Sequence, residues 1–130
     1  MIGVWNAHAG TFLVVLACAT LALFGLPMFF WPLRWARALG WRVPEDAHLA
    51  IYFGRCLAAV VLVLGGFAFR AARTPALQPF FFDMMLGVFG ALVVVHVWGA
   101  LRRIQPLSET VEIAFWAALF VLAMLFHPGG

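Results

Sequence analysis

The sequence predicts an all-α integral membrane protein, an antiparallel four-helix bundle. Of its 130 residues, 66% are hydrophobic and only 10% are charged, whereas a soluble domain carries about 25% charged residues. Four long apolar runs are separated by short segments that contain proline and arginine. About 20 helical residues cross a bilayer, so each run is predicted to be one transmembrane helix. The predicted spans cover residues 11–31, 47–69, 80–101 and 109–126.

Prolines mark most of the span boundaries. Pro27 and Pro32 are expected to end the first helix, Pro44 precedes the second, and Pro106 opens the fourth. No linker or change in composition divides the chain, which predicts a single domain over residues 1–130. The N-terminal segment has no Lys or Arg, and a secretory signal peptide needs a basic start. The first run is therefore expected to be a retained span.

The arginines predict the orientation in the membrane. The first and third loops carry five of them and the second loop carries two. Because cytoplasmic loops are enriched in positive charge, we expect loops one and three inside and both termini outside, in a bacterial inner membrane. Residues 31–41 combine Trp and Arg, and this pattern is compatible with either an interfacial loop or an amphipathic helix lying on the membrane.

The basic composition does not indicate a nucleic-acid partner. The sequence pI is about 9.7, but the arginines flank the apolar runs and form no basic patch. The two cysteines, Cys18 and Cys56, have no CxxC or Cys/His spacing typical of a zinc site. Neither a metal nor a cofactor is expected. A haem would need two histidines at one depth on facing helices, and the only candidate pair, His48 and His96, differs in depth by roughly 6 Å on the helix rise.

Ionisable residues inside the spans are the candidate functional residues, because a charge at the helix centre costs roughly 2.5–3.5 kcal/mol. Arg55, His96 and Glu112 come from three different spans and are predicted to share the cytoplasmic leaflet. We expect an Arg55–Glu112 ion pair with His96 beside it, serving either to lock helix packing or as a proton or anion site. Glu109 lies one turn from Glu112 on the same helix face.

Asp83 is a separate candidate near the opposite end of the third span. Its position in the first turn favours a simple helix-start charge, stabilised by the helix dipole. A carboxylate that accepts cations at the outer surface is the alternative. No residue is predicted to be catalytic, because the sequence shows no nucleophile–base arrangement.

One stretch of the chain carries a family resemblance. The first span ends in Leu26-Pro-Met-Phe-Phe-Trp-Pro, an Arg/Trp loop follows, and the second span begins Tyr52-Phe-Gly-Arg-Cys-Leu-Ala. This order resembles the small four-span bacterial membrane proteins grouped as DoxX-like. The resemblance implies a membrane bundle, and many such proteins are accessory subunits.

Three functions follow as expectations. The first is a non-enzymatic accessory or assembly subunit of a membrane complex, whose partners are the lipid bilayer and other membrane subunits or a second copy of the chain. The second is a small proton-coupled transporter or channel. The third is a redox subunit that binds quinone or haem.

Overall fold

The computed structural model describes residues 2–129, and the described chain is helical with no strand. Four helical segments are long and apolar enough to cross a membrane. Successive segments run in opposite directions, which confirms the predicted antiparallel four-helix bundle. The segments are Asn6–Phe30, His48–Arg73, Pro75–Arg102 and Leu107–Phe126.

The first span is built from four helical pieces. A single 3₁₀ turn, Asn6–His8, leads into α1 (Ala9–Thr20); a π-helical turn, Leu21–Gly25, then joins α1 to α2 (Leu26–Phe30). Pro27 has no N–H to donate to the carbonyl of Leu23, four residues earlier. The indole Nε1 of Trp35 donates to that carbonyl at 2.8 Å. The helix therefore continues past Pro27 and ends at Phe30, before Pro32 and one residue short of the predicted end of the span.

A short helix, α3 (Pro32–Ala38), follows the first span. Residues 31–41 were predicted either as a loop or as an amphipathic helix, and the helical alternative is the one that forms over most of this segment. Gly40 adopts φ +83°, a backbone conformation that glycine reaches without steric penalty. This residue turns the chain back toward the bundle.

Each remaining span is one long α-helix, preceded in the third span by a 3₁₀ turn, Pro75–Leu77, and each begins or ends within a few residues of its prediction. Helix α4 carries Arg70 and Arg73 in its last turn, where positive charge is favourable to the helix dipole. Helix α5 ends at Arg102, and the next residue, Arg103, has φ 54° and a left-handed conformation. The turn from α5 to α6 is therefore tight. The bounds are His48–Arg73 for α4, Gln78–Arg102 for α5 and Leu107–Phe126 for α6.

The helices pack as two close pairs. In the pair of the first span with α4, a Cβ on Gly10 would lie 2.8 Å from the carbonyl oxygen of Ala72, so glycine permits this backbone approach. In the α5–α6 pair the contact is aromatic, with Phe89 and Trp116 ring centroids 5.9 Å apart. The pairs meet in an apolar core where Leu13 and Phe82 are fully buried.

The two ends of the bundle are named by what they contain. The terminal end holds the segment before α1 and the residues after α6, because the N–H groups of Gly3 and Trp5 donate to the carbonyls of Met124 and Leu125, each at 2.9 Å. The loop end holds α3 and the α5–α6 turn.

Candidate functional site

A histidine and two glutamates meet at the loop end of the α5–α6 pair. His96 lies near the end of α5, while Glu109 and Glu112 occupy the first turns of α6. Because the connection between α5 and α6 is short, the last turns of α5 face the first turns of α6. Because Glu109 and Glu112 are three residues apart, they lie on one face of α6. We call these three residues the His96 cluster.

The cluster is compact and largely shielded. His96 Nε2 lies 3.2 Å from Glu109 Oε2 and 3.6 Å from Glu112 Oε2. The side chains of His96, Glu109 and Glu112 are only 10%, 13% and 18% exposed, respectively. Burial of this degree makes the charge balance of the cluster matter, since an uncompensated charge is costly away from water.

Two tryptophans orient the carboxylates. The indole Nε1 of Trp41 donates to Glu109 Oε1 at 2.7 Å, and that of Trp116 donates to Glu112 Oε2 at 3.2 Å. Trp41 belongs to the chain after α3, which is also held to α6 by a hydrogen bond from the Ser108 hydroxyl to the Leu39 carbonyl. The first loop therefore covers the cluster and orients the carboxylate of Glu109.

The turn that joins the helices is itself held to His96. Gln105 Nε2 donates to the carbonyl of His96 at 3.0 Å and to Thr110 Oγ1 at 3.3 Å. Gly99 makes room for this side chain, since a Cβ there would overlap the Gln105 amide. The backbone around His96 is therefore fixed by hydrogen bonds and by close packing.

The hydrogen bond of the other ring nitrogen assigns the tautomer of His96. Nδ1 lies 2.7 Å from the carbonyl oxygen of Leu92, and a carbonyl oxygen only accepts. Nδ1 therefore carries a proton. In the neutral ring Nε2 then has a lone pair, and this lone pair faces the oxygens of two carboxylates. A proton or a cation must therefore lie between these groups: a proton on Nε2, a proton on one carboxyl group, or a bound cation.

Arg55 is not part of this cluster, which corrects the prediction of an Arg55–Glu112 ion pair. The ion pairs among residues 2–129 are formed by histidines, and Arg55 contributes to none of them. Arg55 is exposed, and its Nε donates to the carbonyl of Phe29 at 3.3 Å. Phe29 lies at the end of α2, where helix carbonyls lack intrahelical partners. Arg55 thus caps the first span.

The buried face of α4 explains why Arg55 points outward. Ala58, Gly65 and Ala68 are buried on α4, and a Cβ on Gly54 would contact Pro32 at 3.3 Å. One residue further along a helix lies about 100° around its axis. Arg55, which follows Gly54, is therefore turned away from that face.

Asp83 forms a different His–carboxylate pair at the terminal end. Its Oδ1 lies 3.0 Å from Nε2 of His127, and its side chain is 70% exposed. This exposure agrees with the prediction that Asp83 is a charged residue near the start of the third span. The histidine partner was not anticipated from the sequence.

At the level of sequence, one member of the His96 cluster was ranked too low and the two tryptophans that donate to the cluster were not identified. Glu109, predicted only as a secondary residue, lies closer to His96 than Glu112 does. The spacing Glu112-x-x-x-Trp116 could have indicated the donor on α6, because residues four apart share a helix face. No sequence signal connects Trp41 to Glu109, which is 68 positions away.

The cluster has ligand atoms suited to a metal ion, although none was expected from the sequence. One donor atom from each of His96, Glu109 and Glu112 lies within 4.8 Å of the others. Haem ligation by His48 and His96 is not favoured, because His48 is exposed and both ring nitrogens of His96 face protein oxygens. Comparison of the chain with protein-family models, with curated proteins and with solved structures finds no match.

Proposed function

We propose that this chain is a non-enzymatic accessory or assembly subunit of a larger membrane complex. The observation that carries the proposal is the position of Arg55. It lies within the span His48–Arg73 and is exposed on the outside of the bundle. Only its Nε has a hydrogen-bond acceptor among residues 2–129.

The remaining N–H groups of this guanidinium need acceptors outside the chain. Arginine has five N–H donors and is always charged, and exposing such a group to hydrocarbon is costly. A carboxylate on a neighbouring transmembrane helix supplies two oxygens in the right geometry for a guanidinium. Tyr52 and Val63 lie near Arg55 around the axis of α4 and are 64% and 58% exposed, and they give such a helix an apolar surface to pack against.

The resemblance to small DoxX-like membrane proteins and the arginine distribution agree with this role. The loop end carries five loop arginines and the terminal end carries two. The proposed orientation places the loop end in the cytoplasm and both termini outside a bacterial inner membrane. The His96 cluster would then face the cytoplasmic side.

The transporter and redox alternatives rank lower. Between the His96 cluster and the Asp83–His127 pair, the helices are joined through Phe82, Met85 and Phe89, which are all buried. An apolar interior of this kind does not favour a continuous polar route. Haem binding is disfavoured because His48, the second histidine that the haem hypothesis needs, is exposed.

Native cysteines allow a direct test. Cys56 adjoins Arg55 and is exposed, as is Cys18 on α1. A Cys18→Ser variant leaves Cys56 as the single thiol. A maleimide that carries a benzophenone can label this thiol in native membranes and, on irradiation, insert into a C–H bond of a neighbouring protein. We expect an adduct between Cys56 and a different membrane protein that also co-purifies with the chain. Arg55→Gln should lower its yield at least fivefold.

The matched control is Arg70→Gln, which removes an exposed arginine from the other end of the same helix. This variant should leave the adduct unchanged. An adduct formed only between two copies of the chain would replace the accessory role with self-association. A monomer without any adduct, in which Arg55 is satisfied by lipid phosphate, would remove the support for a subunit.

A further inference from the structure

We propose that His96, Glu109 and Glu112 bind one divalent transition-metal ion of the Zn²⁺ type. This inference goes beyond the subunit role and does not depend on a partner. It rests on three properties of the His96 cluster: its unshared lone pairs, its spacing and its charge.

In the neutral ring, no donor lies between His96 Nε2 and Glu109 Oε2. Glu112 Oε2 accepts from Trp116 Nε1 at 3.2 Å and keeps a second lone pair for a ligand. The His96 side chain is nine-tenths buried, and its Nδ1 proton is committed to the Leu92 carbonyl. The neutral ring therefore aims a bare Nε2 at Glu109 Oε2 and Glu112 Oε2. A histidine that donates one N–H to a backbone carbonyl and presents its other nitrogen is the usual arrangement of a metal ligand.

The spacing matches a tetrahedral ion. Bonds of 2.0–2.2 Å from Zn²⁺ to nitrogen and oxygen put neighbouring ligand atoms about 3.3–3.5 Å apart in a tetrahedron. His96 Nε2 lies 3.2 Å from one carboxylate oxygen and 3.6 Å from the other. All three donor atoms lie within 4.8 Å of one another. Small rotations of the glutamates suffice to complete three ligand positions, and water supplies the fourth.

Charge balance favours a divalent ion over a single proton. A neutral histidine with two carboxylates carries two negative charges. Two protons, one on Nε2 and one on a carboxyl group, are needed to neutralise them, whereas one divalent ion is enough. No arginine in the described chain forms an ion pair with either glutamate. A divalent ion neutralises both charges in a site whose side chains are at most 18% exposed, where an unpaired charge is costly.

The ligand types select the class of ion. Imidazole with carboxylate suits first-row transition metals, whereas Mg²⁺ and Ca²⁺ prefer all-oxygen sites. Trp41 donates to Glu109 Oε1, which leaves Oε2 as the ligating oxygen and orients it. The bound ion would join α5 and α6 and, through Trp41, the first loop.

The test uses the full chain, purified in detergent with a tag that contains no histidine. After treatment with a chelator, the protein is incubated with Zn²⁺ or Co²⁺ and desalted, and the metal is measured by mass spectrometry. We expect about one ion per chain, and a visible Co²⁺ spectrum of a tetrahedral nitrogen–oxygen site. Glu109→Gln and His96→Gln should weaken binding at least tenfold, and Trp41→Phe should weaken it less, as expected for a group that orients a ligand.

His127→Gln is the matched control, because it removes the other histidine that contacts a carboxylate. Its metal content should equal that of the original protein. The proposal is overturned if the folded, unmodified protein retains less than a tenth of an ion per chain, if His127→Gln loses as much metal as His96→Gln, or if Mg²⁺ and Ca²⁺ compete equally with Zn²⁺. Because the Co²⁺ spectrum is taken on the unmodified chain, a variant that fails to fold does not remove the test.

Discussion

Each end of the bundle places a buried histidine against a carboxylate, but the two histidines use their ring nitrogens in opposite ways. At the terminal end, the N–H of Gly129 donates to His127 Nδ1 at 2.9 Å. Nδ1 therefore accepts, and a neutral His127 carries its proton on Nε2. That proton points at Asp83 Oδ1, 3.0 Å away. The terminal pair is thus complete with a neutral histidine, and Asp83 is solvated.

At the loop end the backbone contact is a carbonyl instead of an N–H. His96 Nδ1 must donate to Leu92, so the nitrogen that faces the carboxylates lacks a proton in the neutral ring. Two carboxylates are also present where the terminal end has one. The backbone group that contacts Nδ1 therefore determines whether Nε2 of the neutral histidine carries a proton. Nε2 of His127 carries one and donates it to Asp83, whereas Nε2 of His96 lacks one and needs a further proton or a cation. A count of histidines and acids along the chain cannot separate the two cases.

The largest expected difference between the ends is in stability when each histidine is removed. His96→Leu leaves two shielded carboxylates facing each other, and removing one partner of a buried charge pair costs about 3 kcal/mol. His127→Leu removes one hydrogen bond and leaves Asp83 in contact with solvent, a loss of about 1 kcal/mol. Reversible unfolding in mixed micelles with a chelator present measures both losses. Equal losses would remove the distinction between the ends.

The second expected effect concerns the turn that supports His96. Gly99→Ala forces the Gln105 side chain away and breaks its hydrogen bonds to His96 and Thr110, which contribute about 1 kcal/mol each. Gly87→Ala on the same helix is the control, because a Cβ there has no neighbour within 4 Å. Because both glycines lie in α5, the gain in helix propensity cancels between them, and we expect the free energy of unfolding of Gly99→Ala to be about 2 kcal/mol lower than that of Gly87→Ala. A Gly99→Ala variant as stable as Gly87→Ala would show that the turn does not support the cluster.

The fold was predictable because its cause lies in composition and spacing. Apolar runs of sufficient length and proline-bearing loops determine four helices, and their order determines which ends meet. The boundaries differed by a few residues where basic residues extend the helices, as Arg70 and Arg73 extend α4. At Pro27 the helix continued because a tryptophan from α3 satisfies the freed carbonyl, a contact between separate elements that local sequence rules do not describe.

The candidate site was predictable only in part. His96 and Glu112 were placed at similar depths, and the structure brings them together with Glu109. Depth along a span follows from the helix rise, but the direction of a side chain depends on how each helix is rotated about its axis. Arg55 had the expected depth and the wrong direction. The partners of Trp41 depend on the path of the first loop, which its sequence does not determine.

A smaller effect is expected from the strained end of α5. Arg103 is the one residue other than glycine with positive φ in the described chain, and a left-handed conformation costs an L-residue about 1–2 kcal/mol. Arg103→Gly should therefore stabilise the protein by about 1 kcal/mol and tighten the loop end. Arg102→Gly, one residue earlier and still helical, should destabilise it by about 1 kcal/mol. Thermal unfolding of the two variants in one detergent distinguishes them. A loss of stability in Arg103→Gly would indicate that its side chain, rather than its backbone, matters.

The smallest expected effect is the coupling between Arg55 and Glu112, which should be close to zero because Arg55 does not belong to the His96 cluster. Arg55 caps Phe29 and does not pair with Glu112, so the effects of Arg55→Ala and Glu112→Ala on the free energy of unfolding should add within about 0.5 kcal/mol. The reference cycle, His96→Ala with Glu112→Ala, should show a coupling of about 0.5–3 kcal/mol because these side chains are in contact. Equal coupling in both cycles would return Arg55 to the cluster. In that case the guanidinium of Arg55 would supply one of the two positive charges that we assign to the metal ion.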